Sequence, residues 1–283
     1  MYRIKWIIGI LAVICAGVAV YFVLSSEHAL IMNPKGIIAR KELKLIGTNY
    51  FLMFIVIIPT FFFLFYTAWK YRAKNKQAKY DPDHKHKEVI LWIIPSIVIA
   101  VMTTITWYAA HELDPYVPLE SDVKPLKIQV VALDWKWLFI YPEQEIATLN
   151  FVQFPAGTPI HLELSADGSP MNSFWLPQLS GQIYTMAGMA TQLHLMADEP
   201  GVFPGRAAEI NGMGLADMTF VAKSSLQEDF DHWVEAVKTS PIQLTDAEYN
   251  KLLSPSLNDP VTHYSYVEKD LFTKIVMKYM HAH

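Results

Sequence analysis

Cysteine is nearly absent from this chain: Cys15 is the only one among 283 residues. It stands in an apolar run near the N-terminus. The rest of the chain therefore has no thiol for a disulfide or a thiolate metal ligand. Charge is missing from three long stretches, Trp6–Leu24, Ile46–Trp69 and Val89–Ala110. At 1.5 Å per residue each can cross roughly 30 Å of hydrocarbon. A buried helix of a soluble protein rarely stays uncharged for so long, so an ordinary soluble domain is excluded for this half. A basic surplus is missing from the other half. Residues 111–283 carry 22 Asp/Glu against 10 Lys/Arg, a balance of −12. That argues against nucleic acid as a partner. It suits either a soluble exported domain or a surface that meets a basic protein. Internal repeats and low-complexity tracts are missing as well.

What is present is strongly patterned. Lys70–Glu88 holds seven Lys/Arg, and the loop between the first two apolar runs holds four, Lys35, Arg40, Lys41 and Lys44. The richer loop, together with Arg3 and Lys5, belongs in the cytoplasm. Three spans then leave the long C-terminal part outside. The first run reads as an uncleaved helix in preference to a cleaved signal, because no small-x-small site follows within it. Aromatic residues lie near the ends of the second and third runs (Tyr50, Tyr66, Trp69, Trp92, Trp107, Tyr108), where interfacial residues belong. Pro59 and Pro95 are tolerated in spanning helices.

After Ala110 the texture changes. A proline-containing linker, LDPYVPLESDVKPL, leads into short strand-like runs: 126–133, 135–142, 147–154, 158–164, 191–197 and 218–224. Gly, Pro, Asn and Asp separate them, which predicts an all-β sandwich or barrel. From Leu226 the spacing turns helical, with Phe230, Trp233 and Val237 on one face, and a second helix is expected over 267–280. The fold class is therefore a membrane-anchored α+β chain. The expected domains are an N-terminal helix or signal segment (1–27), a transmembrane hairpin (28–112), an external β-domain (113–225) and an aromatic-rich helical segment (226–283).

The stretch GRAAEINGMGLADM (205–218) has the rhythm of a ligand-holding loop, with Glu209 and Met218 among small residues. Together with MNSFWLPQLSGQIYTMAGM (171–189), it resembles subunit II of the haem-copper respiratory oxidases. The resemblance implies a cupredoxin-like Greek-key sandwich, which in cytochrome c oxidases holds a two-copper centre. That centre takes a His from an HSFW-type strand end and further ligands from a loop of the form CxExCxxxHxxM. On this sequence the first His falls on Asn172, the two Cys on Ala207 and Asn211, and the second His on Leu215. Only Glu209 and Met218 match. A mixed-valence copper pair needs bridging thiolates and imidazoles. Ala207 and Leu215 offer no donor, Asn211 is a hard neutral one, and a lone thioether does not hold the metal. No metal is expected in this chain.

Within that superfamily, loss of the copper centre marks the quinol oxidases. The stretches NPKG (33–36), AWKYRAKNKQAKY (68–80), DWKWLFIYPEQEIATLNFVQFPAGTPI (134–160), FDHWVEAVKTSP (230–241) and YSYVEKDLFTKIVMKYM (264–280) resemble the bacterial cytochrome bo-type ubiquinol oxidases. Relatives often carry a lipidated Cys shortly before NPKG. Ser25 and Ser26 here cannot be modified in that way, which again favours an uncleaved first helix.

The resemblance implies a non-redox subunit in the bacterial inner membrane with its C-terminal domain periplasmic. Its partners would be subunit I, further small subunits and membrane lipid. Subunit I would carry the haems and copper, ubiquinol would be the substrate of the complex, and oxygen would be reduced to water. It also places Glu88, in HKHKEVILW, at the entry of the proton pathway into subunit I. A carboxylate in a first helical turn is favoured by the helix dipole alone, so the pattern by itself leaves that role open. His84 and His86 read as ordinary loop histidines, Trp135-Lys136-Trp137 as packing, and His281 and His283 as a frayed tail. The alternatives are a cytochrome c oxidase subunit with a degenerate copper site, a menaquinol oxidase subunit, a free-standing membrane-anchored electron carrier and a structural membrane adaptor.

Overall fold

The computed structural model describes residues 29–72, 75, 85–169 and 171–280, with single positions at 15, 17, 18, 21 and 22. The first apolar run (apart from those positions), His84 and the terminal histidines lie outside the described residues, as do the side chains of His86 and Glu88. The chain divides into two units, Lys41–Asp114 and the remainder.

Two long helices dominate the first unit: α1 (Ile37–Lys70) and α2 (Lys85–Glu112). Both are long and apolar enough to cross a membrane, and none of their most apolar window is buried in the protein. Phe62 is 64% and Trp92 76% exposed. A continuous apolar surface of this kind marks contact with lipid or another protein. Hydroxyls along the helices turn inward on their own backbone. Thr60 donates to the Val56 carbonyl at 2.7 Å, and Thr104 to that of Ala100 at 2.9 Å. In hydrocarbon that satisfies a donor water cannot reach. Helix α1 begins nine residues before its apolar run, so its first turns carry Arg40, Lys41, Glu42 and Lys44.

The second unit is a two-sheet sandwich. Its strands are β1 (Leu126–Leu133), β2 (Lys136–Tyr141), β3 (Ile146–Leu149), β4 (Phe151–Pro155), β5 (Ile160–Ala166), β6 (Asn172–Trp175), β7 (Gln182–Thr185), β8 (Thr191–Leu195), β9 (Gly201–Ala207), β10 (Thr219–Ser225) and β11 (Thr262–Tyr264). One sheet runs β11-β3-β2-β1-β5-β8 and the other β4-β10-β9-β6-β7. Strand β1 pairs antiparallel with β2 and parallel with β5, which gives the cupredoxin-like crossover. The expected strand over 147–154 is two strands. At Asn150 the backbone adopts φ 55°, and the chain passes from the first sheet to the second. Asn150 holds this corner with its own amide, accepting from the Trp137 N–H at 2.8 Å and donating to the Asp259 carbonyl at 2.9 Å.

Between the sheets lies an aromatic core. Trp137 meets Phe174 edge-on at 5.3 Å, and Phe174 stacks on Phe220 at 4.9 Å. Gly205 of β9 faces inward beneath Phe220, where a Cβ would lie 2.1 Å from the ring. The site needs a residue without a side chain because the ring occupies that space.

Past β10 come α3 (Gln227–Lys238), α4 (Asp246–Leu252) and α5 (Leu271–Met280). On α3, Phe230, Val234 and Val237 are buried and Trp233 partly so. Leu244, Tyr249, Leu271, Phe272 and Ile275 cover the outer face of β1–β3 through Val131, Leu138 and Leu149. A buried carboxylate fastens this tail. Asp167, after β5, accepts hydrogen bonds from Tyr249 (2.7 Å), Tyr279 (2.7 Å) and Lys278 (2.8 Å). Burial first, then the Asp167 contact, raises the Tyr249 and Tyr279 hydroxyl pKa values; the Asp167 hydrogen bond raises that of Lys278. A second fastening is Lys136, 2% exposed, which donates to the Ser254 carbonyl at 3.0 Å and to the Ser256 hydroxyl, with Asp259 at 3.4 Å.

Candidate functional site

The loop between β9 and β10 is closed at its base by the backbone. The Ala207 N–H donates to the Met218 carbonyl at 3.0 Å, and the Ala208 N–H donates to that of Ser173 at 2.9 Å. Gly212 takes φ 118°, a conformation that L side chains rarely adopt. Trp135 lies directly against Gly214, where a Cβ would sit 2.2 Å from the indole. Glycines thus let the loop fold under a tryptophan.

Inside this frame the structure brings together residues far apart in sequence. Asn172 is fully buried, Met218 is fully buried and Asn211 is 9% exposed. The Asn211 amide donates to the Asn172 side-chain oxygen and to the Met218 sulfur, the latter at 2.9 Å. Asn172 in turn donates to the Ser169 hydroxyl at 2.7 Å. Ala207 is buried beside them at 5% exposure, and Leu215 packs against the core. Glu209 points elsewhere: its carboxylate accepts from the Tyr184 hydroxyl at 3.4 Å and from the Ile210 N–H.

Two amides, a thioether and two alkyl groups therefore fill the space between Asn172 and the loop. Neither thiolate nor imidazole is among them. These residues do not fit a copper pair, because amide oxygens are hard neutral donors and a single sulfur cannot bridge two metals. Among the described residues no group of three His, Cys, Asp or Glu is placed to hold a metal ion.

The other residues singled out in the sequence lie apart from this cluster. Trp137 is core, Lys136 holds the tail, and Trp135 roofs the loop. Glu88 stands in the first turn of α2. Sequence spacing gave no sign of one pair: His161 and His194 are direct cross-strand partners on β5 and β8, with rings stacked at 4.6 Å. The His194 Nδ1 lies 3.0 Å from the Pro115 carbonyl. Burial, followed by the neighbouring His194, lowers the His161 pKa. Strand pairing alone creates this juxtaposition, so only the register could have revealed it.

An apolar helical pair joined in sequence to a cupredoxin-like sandwich, with amides and alkyl groups at its loop site, defines a membrane-anchored subunit II-type protein. Comparisons with known proteins make this particular. The chain is 48% identical over 254 residues to the cytochrome bo(3) ubiquinol oxidase subunit 2 of Pseudomonas aeruginosa, covering 89% of this chain and 76% of that one. It is 50% identical over 261 residues to the protein of the same name from Pseudomonas putida, covering 90% and 82%. A family model described as the COX aromatic rich motif matches residues 238–283. Among solved structures, the periplasmic domain of subunit II of cytochrome oxidase from Bradyrhizobium japonicum is similar at 20% identity and a TM-score of 0.39. That match covers 42% of this chain and 96% of that one. The chain belongs to the ubiquinol oxidase subunit 2 family.

Proposed function

We propose that this chain is the non-redox second subunit of a proton-pumping ubiquinol oxidase of the bacterial inner membrane, with its sandwich on the periplasmic side. The observation that carries this reading is the donor set around Asn172, Asn211 and Met218. An oxidase fed by a water-soluble cytochrome needs a metal relay in this domain. An oxidase fed by a membrane quinol does not. Subunit I then holds the haems, the copper at the oxygen site and the quinol. This chain supplies the α1–α2 hairpin that grips subunit I and the sandwich that caps it.

Two measurements test the reading. Copper added to the full-length purified chain is expected to be removed by desalting, leaving well under one equivalent per chain. Stoichiometric copper with a visible thiolate-free or mixed-valence spectrum would instead support a degenerate copper site. In the native membrane, the chain is expected to co-purify with a haem-bearing, many-helix polypeptide that oxidises ubiquinol.

Glu88 supplies proton entry at the cytoplasmic end of α2. A surface carboxylate there collects protons and hands them to groups within the membrane. Glu88→Gln is expected to lower oxygen consumption of the assembled enzyme several-fold, while haem content and subunit ratio stay constant. Unchanged turnover would remove Glu88 from the pathway.

A further inference from the structure

The linker after α2 is held to the sandwich through one residue of β8. Pro115 offers a single carbonyl to two groups of His194, the backbone N–H at 3.2 Å and Nδ1 at 3.0 Å. His194 is 6% exposed, so its ring is kept from water. Ahead of α1 the chain is tied to the sandwich by its backbone. The Lys35 N–H donates to the Gln178 carbonyl at 2.7 Å, and the Asp198 N–H donates to that of Lys35 at 3.0 Å. Of these contacts, the one at Pro115 alone uses a titratable ring.

Strand register sets the surroundings of that ring. His161 of β5 lies directly across from His194, with the rings 4.6 Å apart and 13° from parallel. On its other side His161 faces Lys127 of β1. Glu163, two positions along β5, is already engaged by Lys127 at 2.8 Å and by the Gln129 amide at 3.1 Å. Its own partner on β8 is the neutral Gln192. From the linker the pair meets the Pro115 carbonyl, and no strand lies beyond β8. Three groups able to carry positive charge therefore stand in one row against one carboxylate. The Nε2 of His161 is buried without a hydrogen-bond partner among the described residues.

A first proton is accommodated on His194, which keeps an Nδ1 hydrogen for Pro115 whether neutral or charged. A second is not. It sets like charges on stacked rings beside Lys127 and leaves a hydrogen on His161 Nε2 without an acceptor. Burial first, then the neighbouring His194, lowers the His161 pKa. The opened arrangement thus binds this proton more readily than the closed one, and acid works against the closed one from about pH 6.5 downward. His161 cannot move away, because β5 is paired on both sides, by β1 and β8. Strand β8 has one neighbour, so His194 is the ring that turns out to water.

We propose that the stacked His161–His194 pair is an acid-released clasp on the linker, holding the Pro115 carbonyl while it carries at most one proton and letting go when it takes a second. Release frees the linker from β8, while the backbone ties at Lys35 and Asp198 stay in place. The clasp belongs to this chain's own sandwich and does not depend on the oxidase reading.

Amide hydrogen exchange of the full chain in detergent tests it, because the His194 N–H donates to Pro115 and reports the clasp directly. Corrected for the intrinsic rate at each pH, its protection is expected to fall about tenfold between about pH 7.5 and pH 5, equivalent to about 1.4 kcal/mol. Amides of β1 and β2 should keep theirs. His161→Gln removes the second charge and should leave the His194 protection flat across that range. Glu163→Gln removes the one carboxylate and should move the fall to higher pH. Protection that does not change with pH in the unsubstituted chain overturns the proposal, as does a fall that survives in His161→Gln. A loss that spreads to β1 and β2 is general acid unfolding and overturns it too. Should His161→Gln fail to fold, Glu163→Gln decides, and an unmoved midpoint there overturns the clasp.

Discussion

Asp167→Ala is expected to lower the stability of the sandwich unit by about 3 kcal/mol, the upper end of the range for leaving a buried hydrogen-bond donor without its acceptor. The side chain of Asp167 is 1% exposed, and three donors converge on it. Without it the buried Tyr249 hydroxyl and the part-exposed Tyr279 hydroxyl lose their acceptor, and a buried donor left unmatched costs roughly 1–3 kcal/mol. Lys278 is half exposed and recovers part of its solvation, so it adds little to the loss. Asp167→Asn keeps an acceptor oxygen and should lose less than the alanine variant. Urea unfolding of the full chain in detergent, followed by tryptophan fluorescence, measures both. A loss under 1 kcal/mol for Asp167→Ala would show that the tail is held by its apolar contacts alone.

Gly205→Val should come next, with a loss of about 3 kcal/mol, at the upper end of ordinary overpacking. The new side chain would occupy space held by Phe220, which is locked among Trp137, Phe139 and Phe174. The ring has nowhere to go without disturbing that cluster. Phe220→Leu frees part of the space, so the double variant should be more stable than the sum of the single losses. Strict additivity would mean that the strain falls on the backbone of β9 and not on the ring.

Much of the architecture was legible because its signals are local. The uncharged runs marked both described helices, and the alternation in 126–133 marked β1 to the residue. Other elements were obscured for identifiable reasons. The run 147–154 has uniform strand character, and only the left-handed backbone at Asn150 splits it between sheets. Strand β9 contains Gly and Pro and reads as a loop. Pro204 is tolerated because β6 pairs with β9 only at Ala207 and Arg206, leaving the strand without a second neighbour at the proline. The α4 start, Thr245-Asp246-Ala247-Glu248, carries an N-cap that pattern reading could have found: Thr245 accepts from the Glu248 N–H at 3.3 Å.

At the site, the sequence told which donors were missing but not what replaced them. Asn172 and Asn211 are 39 positions apart, and their contact exists only once β6 and the β9–β10 loop are assembled. The same holds for the His161–His194 pair. Side-chain identities can exclude a metal, whereas a hydrogen-bonded substitute for it requires three-dimensional placement.

The fastening of the tail sets a constraint on how the chain is made. Tyr279 reaches back 112 positions to Asp167, and β11 reaches back to β3. Closing such distant pairs is slow, because chain entropy must be lost before the contact forms. The first sheet therefore stays with β3 as an open edge until β11 has been synthesised. A chaperone that shields this edge would act on the interval between emergence of β3 and arrival of β11.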